Sequence, residues 1–376
     1  MHILHVIQGM KVAEGGPPRI AAGLGRQLAK LGHQVHILAT NGAAPDSDGL
    51  GLVGVPNLTC TALSQNQSIQ QFYSSANPPF DIVHFHGIWN PTATRLASYL
   101  RKKKHPYVIM PHGMLDYWSL SQKRLKKKVY LELFERRMLN GATLLHVGNE
   151  HEHNAISDLG IRTEYFVLPN GVDPEEFDNL PPTGTFLKTL GQPAKPLISY
   201  LARIHFKKGA DLLVPAFCRL AGDFPEAVLV IAGPDQGLQA SLEQEVEKAG
   251  IAERVIFPGV LKGEQRLALL RDSDIFCLPS RQEGHPMSIV EAAYVGIACL
   301  ATEECHVPEL RKAEAAEFVE LTVESVEQGL RHLLTDAEHR ERVANRAREY
   351  ARSHYTWRSI AERLADHYRD VVEKPE

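Results

Sequence analysis

Four short stretches hold residue types suited to gripping an anionic, hydroxyl-rich ligand. In Leu201-Ala202-Arg203-Ile204-His205-Phe206-Lys207-Lys208-Gly209, an apolar run gives way to a turn. Arg203 offers a planar fork there and Lys208 a point charge, both placed where they could converge on a diphosphate; solvated loop charges are the plain alternative. In Ser280-Arg281-Gln282-Glu283-Gly284-His285-Pro286-Met287-Ser288-Ile289-Val290-Glu291 the chain enters a helix near Pro286. The amides around Met287 and Ser288 are therefore candidate phosphate donors at the positive end of a helix dipole. Glu283, in the loop, is placed to accept from sugar hydroxyls, while Glu291, further into the helix, can reach back to a ribose diol; the plain alternative for Glu291 is a solvated helix carboxylate.

Two weaker stretches lie earlier. Glu14-Gly15-Gly16-Pro17-Pro18-Arg19 opens the first helix, with paired glycines that let backbone approach a ligand and a proline that leaves neighbouring amides aimed at an anion. An ordinary turn explains it equally well, and it is not the G-x-G-x-x-G of dinucleotide sites. Pro111-His112-Gly113-Met114 follows a strand-like run, so His112 is expected at a strand end, where ligands bind. The cluster His151, Glu152, His153 has neighbouring residues that diverge on a helix, so it reads as a solvated helix start and not a metal site.

These residues need strands to carry them. Apolar runs bounded by Gly, Pro or Asn occur at 2–7, 35–39, 81–85, 107–110, 144–147 and 165–168, with helical patterns at 17–31, 91–103, 123–139 and 150–159 between them. A second series of runs lies at 197–201, 227–231, 254–257, 275–278 and 298–301, and helical periodicity closes the chain at 323–334, 337–353 and 357–372. Strict alternation predicts α/β architecture with two Rossmann-like, doubly wound parallel-sheet domains. Periodicity lapses between Pro169 and Pro196, so the join is expected there, dividing the chain into 1–175 and 176–356.

Composition narrows the classes. A length of 376 residues, 44% hydrophobic content and a net charge of -4 leave no electrostatic footprint for nucleic acid. Five scattered cysteines without metal spacing predict neither a disulfide framework nor zinc. No run approaches the roughly 20 apolar residues that span a bilayer, and no signal peptide is evident, so a cytoplasmic protein is expected. Two basic runs, Arg101-Lys102-Lys103-Lys104 and Lys123-Arg124-Leu125-Lys126-Lys127-Lys128, set against the slight negative total, suggest peripheral docking on an anionic membrane face or a lipid-diphosphate acceptor. A solvated helix face is the competing reading.

Taken in order, the Gly15-Gly16-Pro17 turn, Asp81-Ile82-Val83-His84-Phe85-His86-Gly87, Pro111-His112-Gly113, Pro169-Asn170-Gly171-Val172-Asp173, Arg203 with Lys208-Gly209, Ile231-Ala232-Gly233-Pro234, Phe257-Pro258-Gly259, and the pair Glu283 and Glu291 separated by seven residues resemble family 4 of the retaining glycosyltransferases, the group 1 enzymes of GT-B fold. The resemblance implies two domains facing across a cleft, with the closing helix 357–376 returning to the N-terminal, acceptor-binding one. It implies that Arg203 and Lys208 neutralise the leaving diphosphate, Glu283 holds the donor sugar, Glu291 the ribose, His112 touches the transferred sugar, and the amides of Gly15 and Gly16 meet phosphate. Gly284, His285, Pro286, Met287 and Ser288 would complete the donor site. It further implies a hexose moving from a nucleotide-diphosphate sugar to a glycan or lipid-linked acceptor in polysaccharide or lipopolysaccharide assembly, with no metal and no cofactor. Ala202 and His285 stand where the family commonly has Gly and Phe; Ala202 should be tolerated, and His285 bears on the sugar and not on the reaction class. The rivals are an NAD-dependent dehydrogenase, disfavoured by the missing G-x-G-x-x-G, and a nucleotide-sugar 2-epimerase, disfavoured by the Arg203, Lys208, Glu283, Glu291 set.

Overall fold

A computed structural model describes residues 1–191 and 196–373. It divides into two compact units, one of Met1–Gly171 with Trp357–Glu376, the other of Val172–Thr356. The change of unit falls at 171/172, ahead of the 175/176 read from the sequence. The Val172 amide donates to Tyr355 O at 2.7 Å, and Val172 and Phe177 join the second unit's core, so the chain is committed to that unit before Asp173. Of the expected linker, 192–195 lies outside the described residues.

The first unit holds β1 (His2–Ile7), β2 (Gln34–Ala39), β3 (Leu58–Ala62), β4 (Ile82–His86), β5 (Tyr107–Met110), β6 (Leu144–Val147) and β7 (Tyr165–Val167), in the order β3-β2-β1-β4-β5-β6-β7. The second holds β8 (Leu197–Leu201), β9 (Val228–Ala232), β10 (Val255–Gly259), β11 (Ile275–Leu278), β12 (Ala298–Thr302) and β13 (Glu317–Val319), in the order β10-β9-β8-β11-β12-β13. All pairings are parallel. Their central strands are buried throughout, because helices cover both faces and leave no side for polar alternation.

Both sheets reverse direction of growth beside their first strand, between β1 and β4 and between β8 and β11. At such a switch point the loops beyond the carboxyl ends splay apart and leave room for a ligand. The four candidate stretches bear on these points: 15–16 follows β1, 203–209 follows β8, 280–286 follows β11, and 111–113 follows β5, next to β4.

The closing helix Trp357–Glu373 belongs to the first unit. Trp357, Ile360, Ala361, Leu364, Ala365, Tyr368 and Val371 form its apolar stripe. The Trp357 indole packs so closely on Gly23 that a Cβ there would lie 2.5 Å from it.

Candidate functional site

The turn after β8 is shaped by contacts that only glycine permits. At Gly209 (φ 76°) a Cβ would lie 1.8 Å from Pro279 O, and at Gly233 it would lie 1.8 Å from Ala202 O. These close approaches press the 202–209 turn against the loops after β9 and β11. Ser280 Oγ donates to Lys207 O at 2.9 Å, the Arg281 amide donates to the same oxygen at 2.8 Å, and the Arg281 guanidinium forks onto Asp211 at 2.7 and 2.8 Å. Arg281 also lies flat over Phe206, 3.7 Å from the ring centroid. A site residue on either loop is thereby fixed relative to the other.

Within that frame the structure brings Lys208 and Glu283 together across 75 residues of sequence: Nζ lies 2.5 and 2.7 Å from the two carboxylate oxygens. Their side chains keep 16% and 8% of their exposure, so the pair is largely desolvated. Beneath it Tyr200, buried and facing the Glu283 charge, has its phenol pushed well above its ordinary range, so it stays neutral and donates to Arg203 O at 2.8 Å. Arg203 itself is exposed and donates from Nη1 to Gln236 Oε1 at 3.1 Å. Arg203 and Gln236 thus present a guanidinium and an amide on the loops that follow β8 and β9, at the same end of the sheet as Lys208.

Glu291 is not the solvated carboxylate of the plain alternative. It is buried in the helix Met287–Val295, and its Oε2 accepts from Arg266 Nη1, whose Nη2 serves Glu176. Arg266, which stacks over Phe177 at 5.6 Å, was missed because in its helix, Gly263–Asp272, it reads as one more surface cation. Pro286 caps the helix that carries Met287 and Ser288 in its first turn. His285 departs from a donor-facing role: its side chain is only 1% exposed, turned inward with Nε2 3.2 Å from Glu309 Oε1 and edge-on to Tyr355. What His285 gives the loop is an anchor.

In the first unit, Gly15 adopts φ 96°, ψ -143°, a conformation essentially reserved for glycine, and both Gly15 and Gly16 leave open space where a side chain would be. His112 sits at φ 57°. Burial, reinforced by nearby His146, lowers its pKa from 6.5 to about 3, so its ring is neutral. Its loop is held by Glu152, which overturns the solvated reading of the 151–153 cluster: Glu152 is buried and accepts from the amides of Gly113 at 2.6 Å and Gly148 at 2.9 Å. A signal was present. Asn149 followed three residues later by Glu152 has the spacing of a capped helix start, which turns the glutamate back towards backbone.

Solved structures share the fold. Anabaena HepE in complex with UDP superposes with a TM-score of 0.81 at 17% identity, over 98% of this chain and 99% of that one. The two parallel-sheet units are those of the GT-B fold. Residues 187–350 match the family described as glycosyl transferases group 1, and residues 15–171 match the glycosyl transferase 4-like domain. An uncharacterized glycosyltransferase of Methanocaldococcus jannaschii is 23% identical over 95% of this chain and 96% of its own. A GDP-mannose-dependent alpha-(1-6)-phosphatidylinositol monomannoside mannosyltransferase of Mycolicibacterium smegmatis is 26% identical over 53% of this chain and 54% of its own. The chain belongs to the group 1 glycosyltransferases.

Proposed function

We propose that the chain is a retaining transferase that moves a hexose-type sugar from a nucleotide-diphosphate donor to a glycan or lipid-linked acceptor, without a metal. The observation that carries this is the Lys208–Glu283 pair, with Arg203 on the same turn after β8, at the switch point of the second unit. As the sugar leaves, negative charge grows on the diphosphate; the two cations and the amides opening the helix Met287–Val295 stabilise it, in the place a divalent ion takes elsewhere. Glu283, already oriented by Lys208, accepts from sugar hydroxyls, and Glu291, with only Oε2 engaged by Arg266, receives the ribose. The parts of His112 and of the Gly15–Gly16 turn, contact with the transferred sugar and with phosphate, rest on the family resemblance. UDP in HepE and GDP-mannose in the mycobacterial relative support a nucleotide-sugar donor and leave its base open.

The acceptor reading draws on the helix Arg124–Tyr130 and the turn that follows it. Leu125, 81% exposed, Val129 and Leu133 recur every fourth residue beside exposed Lys123, Arg124, Lys126 and Lys128. A ridge of bare apolar side chains flanked by cations suits the headgroup boundary of an anionic membrane, consistent with polysaccharide, lipopolysaccharide or glycolipid assembly. Among the described residues no helix is long and apolar enough to cross one.

A thermal-shift panel of nucleotide sugars in excess chelator tests the reaction class: a UDP- or GDP-sugar is expected to raise the melting temperature. Stabilisation by NADH with UDP and GDP ignored would favour a dehydrogenase. Co-sedimentation with vesicles is expected to rise with anionic lipid content; indifference to it removes the membrane reading.

A further inference from the structure

Two buried histidines, His5 and His86, form a hydrogen-bonded chain that ends at the partly buried His112. In the parallel ladder of β1 and β4, His5 stands opposite His84, and His86 is two residues further on, so the three rings share one face of the sheet. His86 Nε2 lies 2.9 Å from His5 Nδ1, and His86 Nδ1 lies 3.3 Å from His112 Nε2. The rings stack, His5 on His86 at 4.9 Å and 28°, His86 on His112 at 5.4 Å and 24°. At the far end His5 Nε2 is buried with no hydrogen-bond partner among the described residues.

Desolvation holds the rings of His5, His86 and His112 below their ordinary pKa, so each is neutral and carries one proton. A neutral imidazole donates from one nitrogen and accepts at the other, so the two bonds must run in the same direction. If they run from His112 towards His5, the last proton is stranded on His5 Nε2 as a buried donor with nothing to receive it. If they run from His5 towards His112, the orphan is a bare lone pair, and the last proton emerges on His112 Nδ1. Buried orphan donors are rarer and costlier than under-used acceptors. The second direction wins.

We infer that His5 and His86 are positioning residues that lock His112 as its Nδ1–H tautomer, so that His112 is a hydrogen-bond donor to a ligand oxygen and not a general base. The ligand, on the function proposed above, is the transferred sugar. An Nδ1 that already carries a proton cannot take one from the acceptor hydroxyl, which leaves that proton to the departing phosphate. The nitrogens of His5, His84 and His86 also lie within 4.8 Å of one another, a spacing a transition metal accepts. The charges that act on these rings come only from other histidines, and none offsets a cation.

Protein labelled with 15N-histidine gives the test, with His112 assigned by comparison with His112→Asn. Wild type is expected to show an N–H nitrogen at Nδ1 and a lone-pair nitrogen at Nε2. His5→Asn, which keeps an N–H donor near the position of Nδ1, is expected to preserve that pattern; His5→Leu is expected to give mixed tautomers. In a transfer assay His5→Leu should lose about tenfold in kcat/KM, as for one hydrogen bond, with free nucleoside diphosphate affinity unchanged and His5→Asn within about threefold of wild type. A wild-type His112 protonated at Nε2, or zinc that titrates into the His5 and His86 signals at micromolar levels, overturns the inference without any variant needing to fold. A locked tautomer with His5→Leu still fully active overturns the donor role of His112 and leaves the tautomer standing.

Discussion

The two units share a strand order around their switch points and solve the same electrostatic problem in opposite ways. The first fills the ground beside its switch point with neutral rings: His5, His84, His86, His112 and His146 are all held below their ordinary pKa, chiefly by burial. The second fills its own with paired charges, Lys208 with Glu283, Arg266 with Glu291 and Glu176, Arg281 with Asp211. A doubly wound sheet thus dictates where a ligand can sit and not the chemistry it meets. Rings that cannot charge suit hydroxyl groups, and fixed cations suit a leaving diphosphate.

Acid should break this comparison most visibly. His5 and His112 drop to about 3 and His146 to about 4 in the folded unit, so between those values and 6.5 the unfolded chain binds more protons. Their contribution is therefore complete above 6.5 and is lost as pH falls, by roughly 1.4 kcal/mol for each unit of displacement. Glu135, raised to about 7 by burial, works the other way, favouring the folded state as pH falls from 7 to 4.5, but it is one group against five. The three tryptophans, Trp89, Trp118 and Trp357, all lie in the first unit. Tryptophan fluorescence is expected to report unfolding on acidification well before half of the far-UV circular dichroism is lost; coincident transitions would erase the contrast.

Charge removal sharpens the other side. Lys208→Ala leaves Glu283 buried without its partner and should cost the second unit about 3 kcal/mol. Lys208→Ala with Glu283→Gln should recover most of that, since the orphaned charge is gone. Urea unfolding followed by circular dichroism checks both, with the fluorescence midpoint of the first unit expected to stay put. A double variant no more stable than the single would mean the pair is not coupled.

The sequence disclosed the buried strands because parallel central strands are continuous apolar runs, and it placed Arg203, Lys208, Glu283 and His112 at strand ends for the same reason. It did not disclose β3 and β13. Both are short sheet edges with little full burial, Leu58–Ala62 alternating two threonines with its apolar residues, so neither leaves an apolar run. The helical pattern at 123–139 was legible as one helix, yet Leu131–Glu135 is wound as a π segment, which periodicity does not reveal. Nor could spacing join Arg266 to Glu291, or carry Glu152, whose cap spacing turns it only towards local backbone, to the Gly113 amide 39 residues away. Those facts belong to tertiary packing.

Arg203 offers the most direct test of the central claim, because it is exposed, has one neutral partner in Gln236, and can be removed without stranding a buried charge. Calorimetric titration of nucleoside diphosphate into wild type and Arg203→Ala, with unliganded stability measured in parallel, separates binding from folding. Stability within about 0.5 kcal/mol and an affinity at least about thirtyfold weaker is the predicted result. Unchanged affinity would contradict the assignment of these cations to the diphosphate.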